Sequence, residues 1–310
     1  MDISVVVPIY NEEWNITKLN AEIQEVVSKI TRSFEVIYIN DSSTDGSLRE
    51  LKSLKNITII NLNRRYGQTT AFDAGFKAAQ GELVISLDGD GQDDPHNIPA
   101  LIKKLKDDDL DVVAGWRKHR SDKSGICVLT KIGQYLRKKM INDSIHDSGC
   151  ALRVYRKEAV KSLDIGGEMH RYIMALLRWK GFRIGEVVVN HRKREHGVSN
   201  YNYSKAVRGF IDLVYIWFLY KFSQRPLHLF GYASLASITL GVLSGFWTVY
   251  GKLAWGLSIN RNGWALVTFF LLLSGIMLFS FGIIISLLFR VHYSSSEYEK
   301  RYYIREVIKK

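Results

Sequence analysis

Four aspartates crowd the segment Leu87-Asp88-Gly89-Asp90-Gly91-Gln92-Asp93-Asp94-Pro95. They follow residues 82–87, a short apolar run that reads as a buried strand. Carboxylates gathered at a strand end repel one another unless a cation compensates. A hard divalent ion such as Mg2+ or Mn2+ takes oxygen ligands and shares them with phosphates. Glycines at 89 and 91 would let a diphosphate come close to the backbone. Other polar groups sit in equivalent places, just after apolar runs: Tyr10-Asn11-Glu12, Asp41 and Arg64-Arg65.

Several common chemistries are missing. No G-x-G-x-x-G follows the first apolar run, where Pro8-Ile9-Tyr10-Asn11-Glu12 stands instead, which excludes the usual dinucleotide fingerprint. There is no Walker A sequence, no H-E-x-x-H and no G-x-S-x-G. Cys127 and Cys150 stand alone and read as structural, and His146, His170, His191 and His196 have no ligand spacing to one another.

The elements that must hold these groups alternate. Residues 3–8 form an apolar run ended by proline. Residues 12–30 have helical spacing, with Ile16, Leu19, Ile23, Val26, Val27 and Ile30 on one face. Strands are expected at 35–40, 56–61 and 82–87, and a helix of small residues at 68–79. Such alternation predicts a doubly wound α/β domain with a mostly parallel sheet. Ligands of such sheets bind beyond the carboxyl ends of the strands, where all these polar groups fall.

The net charge of +12 is unevenly spread. Residues 1–116 carry 12 basic and 19 acidic side chains, so the α/β half is acidic and offers no face for nucleic acid. Residues 117–139 carry 8 basic and 1 acidic, and residues 191–225 carry 7 and 2. Residues 226–251 and 262–289 contain no Asp, Glu, Lys or Arg, and each block is long enough to cross a bilayer. Trp247, Tyr250, Trp255 and Trp264 cluster near the short connection, as aromatic side chains do at a membrane interface. The basic residues lie on the outer flanks, which predicts an inner-membrane, multi-pass protein with both termini in the cytoplasm and no cleavable leader. Residues 124–140 and 207–222 mix basic and apolar side chains and are expected to lie in the interface. The expected division is a catalytic domain at 1–200, a juxtamembrane helix at 201–225, two spans within 226–290 and a cytoplasmic tail at 291–310.

Taken together, these motifs resemble family 2 glycosyltransferases of the GT-A fold, and among them the polyprenyl-phosphate glycosyltransferases. This group includes bactoprenol glucosyltransferases, undecaprenyl-phosphate aminoarabinose transferases and dolichyl-phosphate mannose synthases. The carriers are Val5-Val6-Val7-Pro8-Ile9-Tyr10-Asn11-Glu12, Asn40-Asp41-Ser42-Ser43-Thr44-Asp45-Gly46, and Asn63-Arg64-Arg65-Tyr66-Gly67-Gln68-Thr69. The aspartate cluster, Asp147-Ser148-Gly149-Cys150-Ala151-Leu152-Arg153, Arg194-Glu195-His196-Gly197-Val198-Ser199-Asn200-Tyr201 and Tyr303-Ile304-Arg305-Glu306-Val307 continue the likeness.

The resemblance implies roles. Pro8, Tyr10, Asn11, Glu12, Asp41, Gln68 and Asp88 would hold the nucleotide sugar. Asp88, Asp90 and Gln92 would bind Mg2+ or Mn2+ and the diphosphate. Asp147 matches the residue often treated as the base, with Asp90 beside it in catalysis. Arg117, Arg153 and Arg194 would hold phosphates. The family usually reads Ser-Lys-Tyr where this chain has Ser199-Asn200-Tyr201, so Lys193, Arg194 or Lys205 would have to supply the missing cation.

The implied reaction is inverting transfer of a sugar from a nucleotide diphosphate, with UDP-glucose the best guess, to polyprenyl phosphate for envelope glycans. GDP-mannose and UDP-amino sugars are the alternatives. The partners are the donor, the lipid acceptor and the membrane, without nucleic acid and with room for a homo-oligomer. A processive synthase would carry Q-x-x-R-W, but Ala175 stands three residues before Arg178-Trp179. A non-catalytic membrane scaffold would have no need of the aspartate cluster.

Overall fold

The computed structural model describes residues 1–118, 138–141, 145–192, 203–222, 225–256, 258, 263–294 and 304–309. The chain divides into two compact units, Met1–Val214 with Lys300–Lys310, and Tyr215–Glu299.

The first unit is built on an eight-stranded sheet. Its strands are β1 (Ile3–Ile9), β2 (Phe34–Asn40), β3 (Thr58–Leu62), β4 (Leu83–Ser86), β5 (Val112–Trp116), β6 (Arg153–Arg156), β7 (Ile184–Val188) and β8 (Ile304–Lys309). Across the sheet they run β7-β5-β6-β4-β1-β2-β3-β8. The first four are parallel to one another. β6 is antiparallel to both β4 and β5, and β7 is parallel to β5. The carboxyl ends of β1–β5 and β7 and the start of β6 therefore share one edge of the sheet.

Every residue of β1 is buried, as expected of a central strand covered on both faces. Alternation along it feeds two cores. Val5, Val7 and Ile9 pack with α1 (Ile16–Ser28) and α4 (Ile98–Asp107). Val6 packs with α3 (Gln68–Ala78), α5 (Lys157–Lys161) and α6 (Ile173–Trp179). Between these, α2 (Ser47–Ser53) places Leu51 in the first core.

The end of the chain departs from the expected tail. Residues 304–309 form β8, which pairs antiparallel with β3 and covers that edge of the sheet. An ion pair between Lys52 Nζ and Glu306 Oε1 at 3.0 Å fastens it. The helix α7 (Tyr203–Phe222) crosses from the first unit into the second. Leu213 is buried, whereas Ile211, Val214, Tyr215 and Tyr220 are exposed. The basic segment 117–139 lies almost wholly outside the described residues, as do Cys127 and Lys193 to Asn200.

The second unit contains α8 (Pro226–Trp255) and α9 (Gly263–Ser294), both long and apolar enough to cross a membrane. They pack along a seam of small and hydroxyl side chains. Ser234 Oγ donates to the Gly275 carbonyl at 2.7 Å, and Ser237 Oγ to that of Leu271 at 2.7 Å. Thr268 Oγ1 donates to Ser244 Oγ at 2.9 Å. A Cβ on Gly275 would lie 2.5 Å from Ile238 Cγ1 and 3.1 Å from the Ser234 carbonyl oxygen, so the glycine permits the close approach. Gly275→Leu is therefore expected to cost about 1–3 kcal/mol of hairpin stability through overpacking. A lower melting temperature of the full chain in detergent checks this; Ser280→Leu, on an exposed position of α9, should leave it unchanged.

Candidate active site

A cleft of about 270 Å3 opens at the shared strand edge, over the ends of β1, β2, β3 and β4. Its walls include Pro8, Tyr10, Glu12 and Asp41 from the first two strand ends. Arg65, Gly67 and Gln68 come from the β3–α3 connection, and Asp88, Gly89 and Asp90 from the loop after β4.

The loops around it are tied together by side chains. Asn11, at a φ of 56°, bonds across to the next loop: Thr44 N donates to its Oδ1 at 2.8 Å, and its own N–H donates to Ser43 Oγ at 3.1 Å. Asp41 is buried and uses both oxygens on the β3–α3 loop, accepting from Tyr66 N and Gly67 N at 2.7 Å each. Burial raises its pKa, and these two N–H groups partly counter the rise. The Arg65 guanidinium then lies over the Tyr10 ring, 3.9 Å from its centroid. Gln68 Nε2 donates to Asp88 Oδ1 at 2.6 Å and joins this loop to the acidic one.

The four aspartates have separate fates. Asp88 and Asp90 face the cleft. Burial, and then the charges of Asp93 and Asp90, push the Asp88 carboxyl well above the usual range. Gly91, at φ +72°, turns the chain away, so Gln92 does not reach the cleft. Its amide nitrogen lies 3.4 Å from His191 Nε2 and 3.4 Å from the Arg192 carbonyl. Asp93 is buried, with one oxygen lacking a partner among the described residues. Asp94 caps the turn Pro95–Asn97 and pairs with Arg192, whose guanidinium also holds Glu22 of α1 at 2.7 Å. Gly89 has a packing reason as well as a chemical one, because a Cβ there would lie 2.8 Å from the Pro8 carbonyl oxygen.

Among the described residues, no three His, Cys, Asp or Glu side chains form a complete metal cage. Two cleft carboxylates that repel each other do fit a divalent cation that completes its shell with diphosphate oxygens.

Past β4, the edge becomes basic. Arg117, just after β5, forms a two-pronged pair with Asp147: Nε to Oδ2 at 2.6 Å and the terminal nitrogen to Oδ1 at 3.0 Å. Only 10% and 8% of these side chains are exposed. Gly149 N also donates to Asp147 Oδ1, so both oxygens of this carboxylate are engaged. Arg153 is 4% exposed; it donates to the carbonyls of Ser148 and His170, and its Nε has no partner among the described residues. Arg194 lies outside the described residues.

His170 Nδ1 stands 2.6 Å from Thr69 Oγ1. Burial, with help from Arg171 and Arg153, pushes its imidazole from 6.5 down to about 3. Unfolding between those limits takes up a proton, so stability is fullest above pH 6.5 and falls as pH drops toward 3. His170→Gln should flatten that slope, read as melting temperatures at pH 7 and pH 5.

The sequence-derived set is thus partly gathered and partly dispersed. Pro8, Tyr10, Glu12, Asp41, Gln68, Asp88 and Asp90 line one cleft. Asn11 and Gln92 serve neighbouring loops. Arg117 and Asp147 bind each other. Sequence reasoning missed Arg65 as a wall of the cleft, although the Arg64-Arg65 pair after an apolar run marked the place. It also missed Arg192, whose two carboxylate partners are far away in the chain.

The sequence profile of Glycosyl transferase family 2 matches residues 4–164, which include the whole cleft and the Arg117–Asp147 pair. The chain is 33% identical to dodecaprenyl-phosphate galacturonate synthase of Rhizobium johnstonii, over 99% of its own length and 93% of that protein. It is 28% identical to undecaprenyl-phosphate 4-deoxy-4-formamido-L-arabinose transferase of Shewanella sediminis, over 99% of its own length and 92% of that protein. Among solved structures, glucosyl-3-phosphoglycerate synthase from Mycobacterium tuberculosis with bound phosphoglyceric acid aligns with a TM-score of 0.56 at 18% identity, covering 71% of this chain and 79% of that one. The same protein with Mn2+, UDP and glucosyl-3-phosphoglycerate aligns with a TM-score of 0.54 at 17% identity, over the same shares. These structural likenesses establish the fold. The chain belongs to glycosyl transferase family 2 and is a glycosyltransferase with a GT-A catalytic unit.

Proposed function

We propose that the enzyme transfers a sugar from a nucleotide diphosphate to a polyprenyl phosphate at the cytoplasmic face of the membrane. The observation that carries this reading is the end-to-end likeness to dodecaprenyl-phosphate galacturonate synthase, which spans both the cleft and the apolar hairpin. The two apolar helices would anchor the chain where a lipid acceptor resides. The exposed apolar side chains of α7 suit a helix lying in the interface. β8 rejoins the sheet after the hairpin, which supports both ends of the hairpin lying on one side of the bilayer, and flanking basic residues favour the cytoplasmic side.

In this reading the nucleotide enters the β1–β3 part of the cleft, against Pro8, Tyr10, Glu12 and Asp41. Arg65 offers a cation in the same space. Asp88 and Asp90 would hold Mg2+ or Mn2+, which supplies neutralising charge to the diphosphate when bound; the mycobacterial neighbour was solved with Mn2+ and UDP. Arg153 and Arg117 offset the repulsion between donor and acceptor phosphates from the β6–β5 side. A phosphate monoester has a second pKa of about 6, so the acceptor oxygen attacks the anomeric carbon with little help in deprotonation and inverts it. Asp147, with both oxygens engaged, positions Arg117.

UDP-glucose is the donor expected from the resemblance, whereas the relatives named above transfer galacturonate and formamidoarabinose. The test incubates purified full chain with undecaprenyl phosphate, Mg2+ or Mn2+, and labelled UDP-glucose, UDP-galacturonate, UDP-formamidoarabinose and GDP-mannose. A labelled lipid product from one donor supports the reading, and no product from any of them defeats it.

A further inference from the structure

The strand order sets out the chemistry in a line. β3, β2 and β1 border the cleft, β4 leads into the paired aspartates, and β6 and β5 bring the arginines. Next to those arginines stands a side chain that the cleft does not use. His146 Nδ1 lies 2.7 Å from Glu186 Oε2, and the imidazole stacks on Trp116 with ring centroids 4.2 Å apart and planes 17° apart. The other Glu186 oxygen accepts from the backbone N–H groups of His146 at 2.9 Å and Asp147 at 3.4 Å. One carboxylate from β7 thus fixes both this ring and the backbone that presents Asp147.

The ring is held on two sides yet remains 61% exposed at its side chain. An ionised carboxylate can only accept, so the proton on the glutamate side belongs to Nδ1, and Nε2 is the ring nitrogen that Glu186 does not engage. Neutral, Nε2 accepts a proton; protonated, it donates a hydrogen bond. Lys118 Nζ, 5.7 Å from the Trp116 ring centroid, adds positive charge nearby. The adjacent Arg117 is paired with Asp147, so the cation it offers an incoming anion is partly neutralised.

We infer that His146 binds the phosphate monoester of the acceptor through Nε2 and removes its proton when that phosphate arrives singly protonated, an assignment that rests on the polyprenyl-phosphate reading. The proton passes from the phosphate hydroxyl to Nε2. The phosphate becomes the dianion that attacks the sugar, and the imidazolium N–H then donates to one of its oxygens. No other bond changes in this step.

The test measures binding of farnesyl phosphate to the full chain in detergent, with farnesol, inorganic phosphate and UDP–Mn2+ as parallel ligands. His146→Ala should weaken farnesyl phosphate about tenfold or more, the loss of a hydrogen bond to a charged group, and leave UDP–Mn2+ unchanged. His146→Gln keeps a donor near the Nε2 position and should weaken it less. Undiminished farnesyl phosphate binding by His146→Ala overturns the inference. So does an equal loss of UDP–Mn2+ affinity, which would mean a structural role. Inorganic phosphate that displaces farnesyl phosphate at matched concentration overturns the lipid assignment. Wild-type protein that binds UDP–Mn2+ but not farnesyl phosphate defeats the polyprenyl-phosphate reading itself.

Discussion

Asp88→Asn and Asp90→Ala should each lower turnover about 10²- to 10³-fold, as expected when a preorganised electrostatic stabiliser is removed. They should do so without loosening the fold. Asp88 and Asp90 share the cleft with each other's charge, and Asp93 adds a third close by. Removing one carboxylate relieves repulsion, so the melting temperature of either variant should hold or rise. In Asp88→Asn the side-chain oxygen can still accept from Gln68, which keeps the two loops joined. Metal titration supplies the sharper reading. Wild-type activity should saturate with added Mn2+ or Mg2+, and the residual activity of the variants should respond weakly. Asp90→Ala protein that is slow but keeps the wild-type metal dependence would contradict the assignment.

Arg117→Ala and Asp147→Ala should have the opposite signature. Their side chains are nearly buried and meet through two short contacts. Truncating one partner strands the other charge inside the protein, at a cost of about 3–5 kcal/mol. A double replacement, Arg117→Ala with Asp147→Ala, removes both charges together and should recover part of that loss. Thermal unfolding of the four proteins forms a double-mutant cycle that measures the coupling. Asp147→Asn separates positioning from proton transfer. It keeps an oxygen for Arg117 but cannot take up a proton at neutral pH. Turnover close to wild type would remove any role as a base, and complete loss with an intact fold would restore it.

The parts of the site that could be read from the chain share one property. Tyr10, Asp41 and Asp88 each follow a run of buried apolar residues, and strand alternation alone puts such residues at the ligand edge. What could not be read depends on loop direction or on distant partners. The positive φ of Asn11 and Gly91 decides that Asn11 bonds to Thr44 and that Gln92 leaves the cleft. The Arg117–Asp147 pair requires β5 and the approach to β6 to meet at the same edge. That follows from antiparallel register between strands far apart in the chain. The long apolar helices were legible because composition and length suffice to identify them. β8 was not, because six residues after an apolar hairpin carry no local sign of the strand they will join.

That last strand makes the apolar hairpin an insertion within the catalytic unit rather than an appendage to it. During synthesis β3 must wait as an open sheet edge until residues 304–309 have emerged, by which time both apolar helices have been made. Open edges invite pairing with other chains. A copy whose chain stopped short of β8 would carry an unfinished sheet, and its exposed edge would mark it for chaperones or proteolysis.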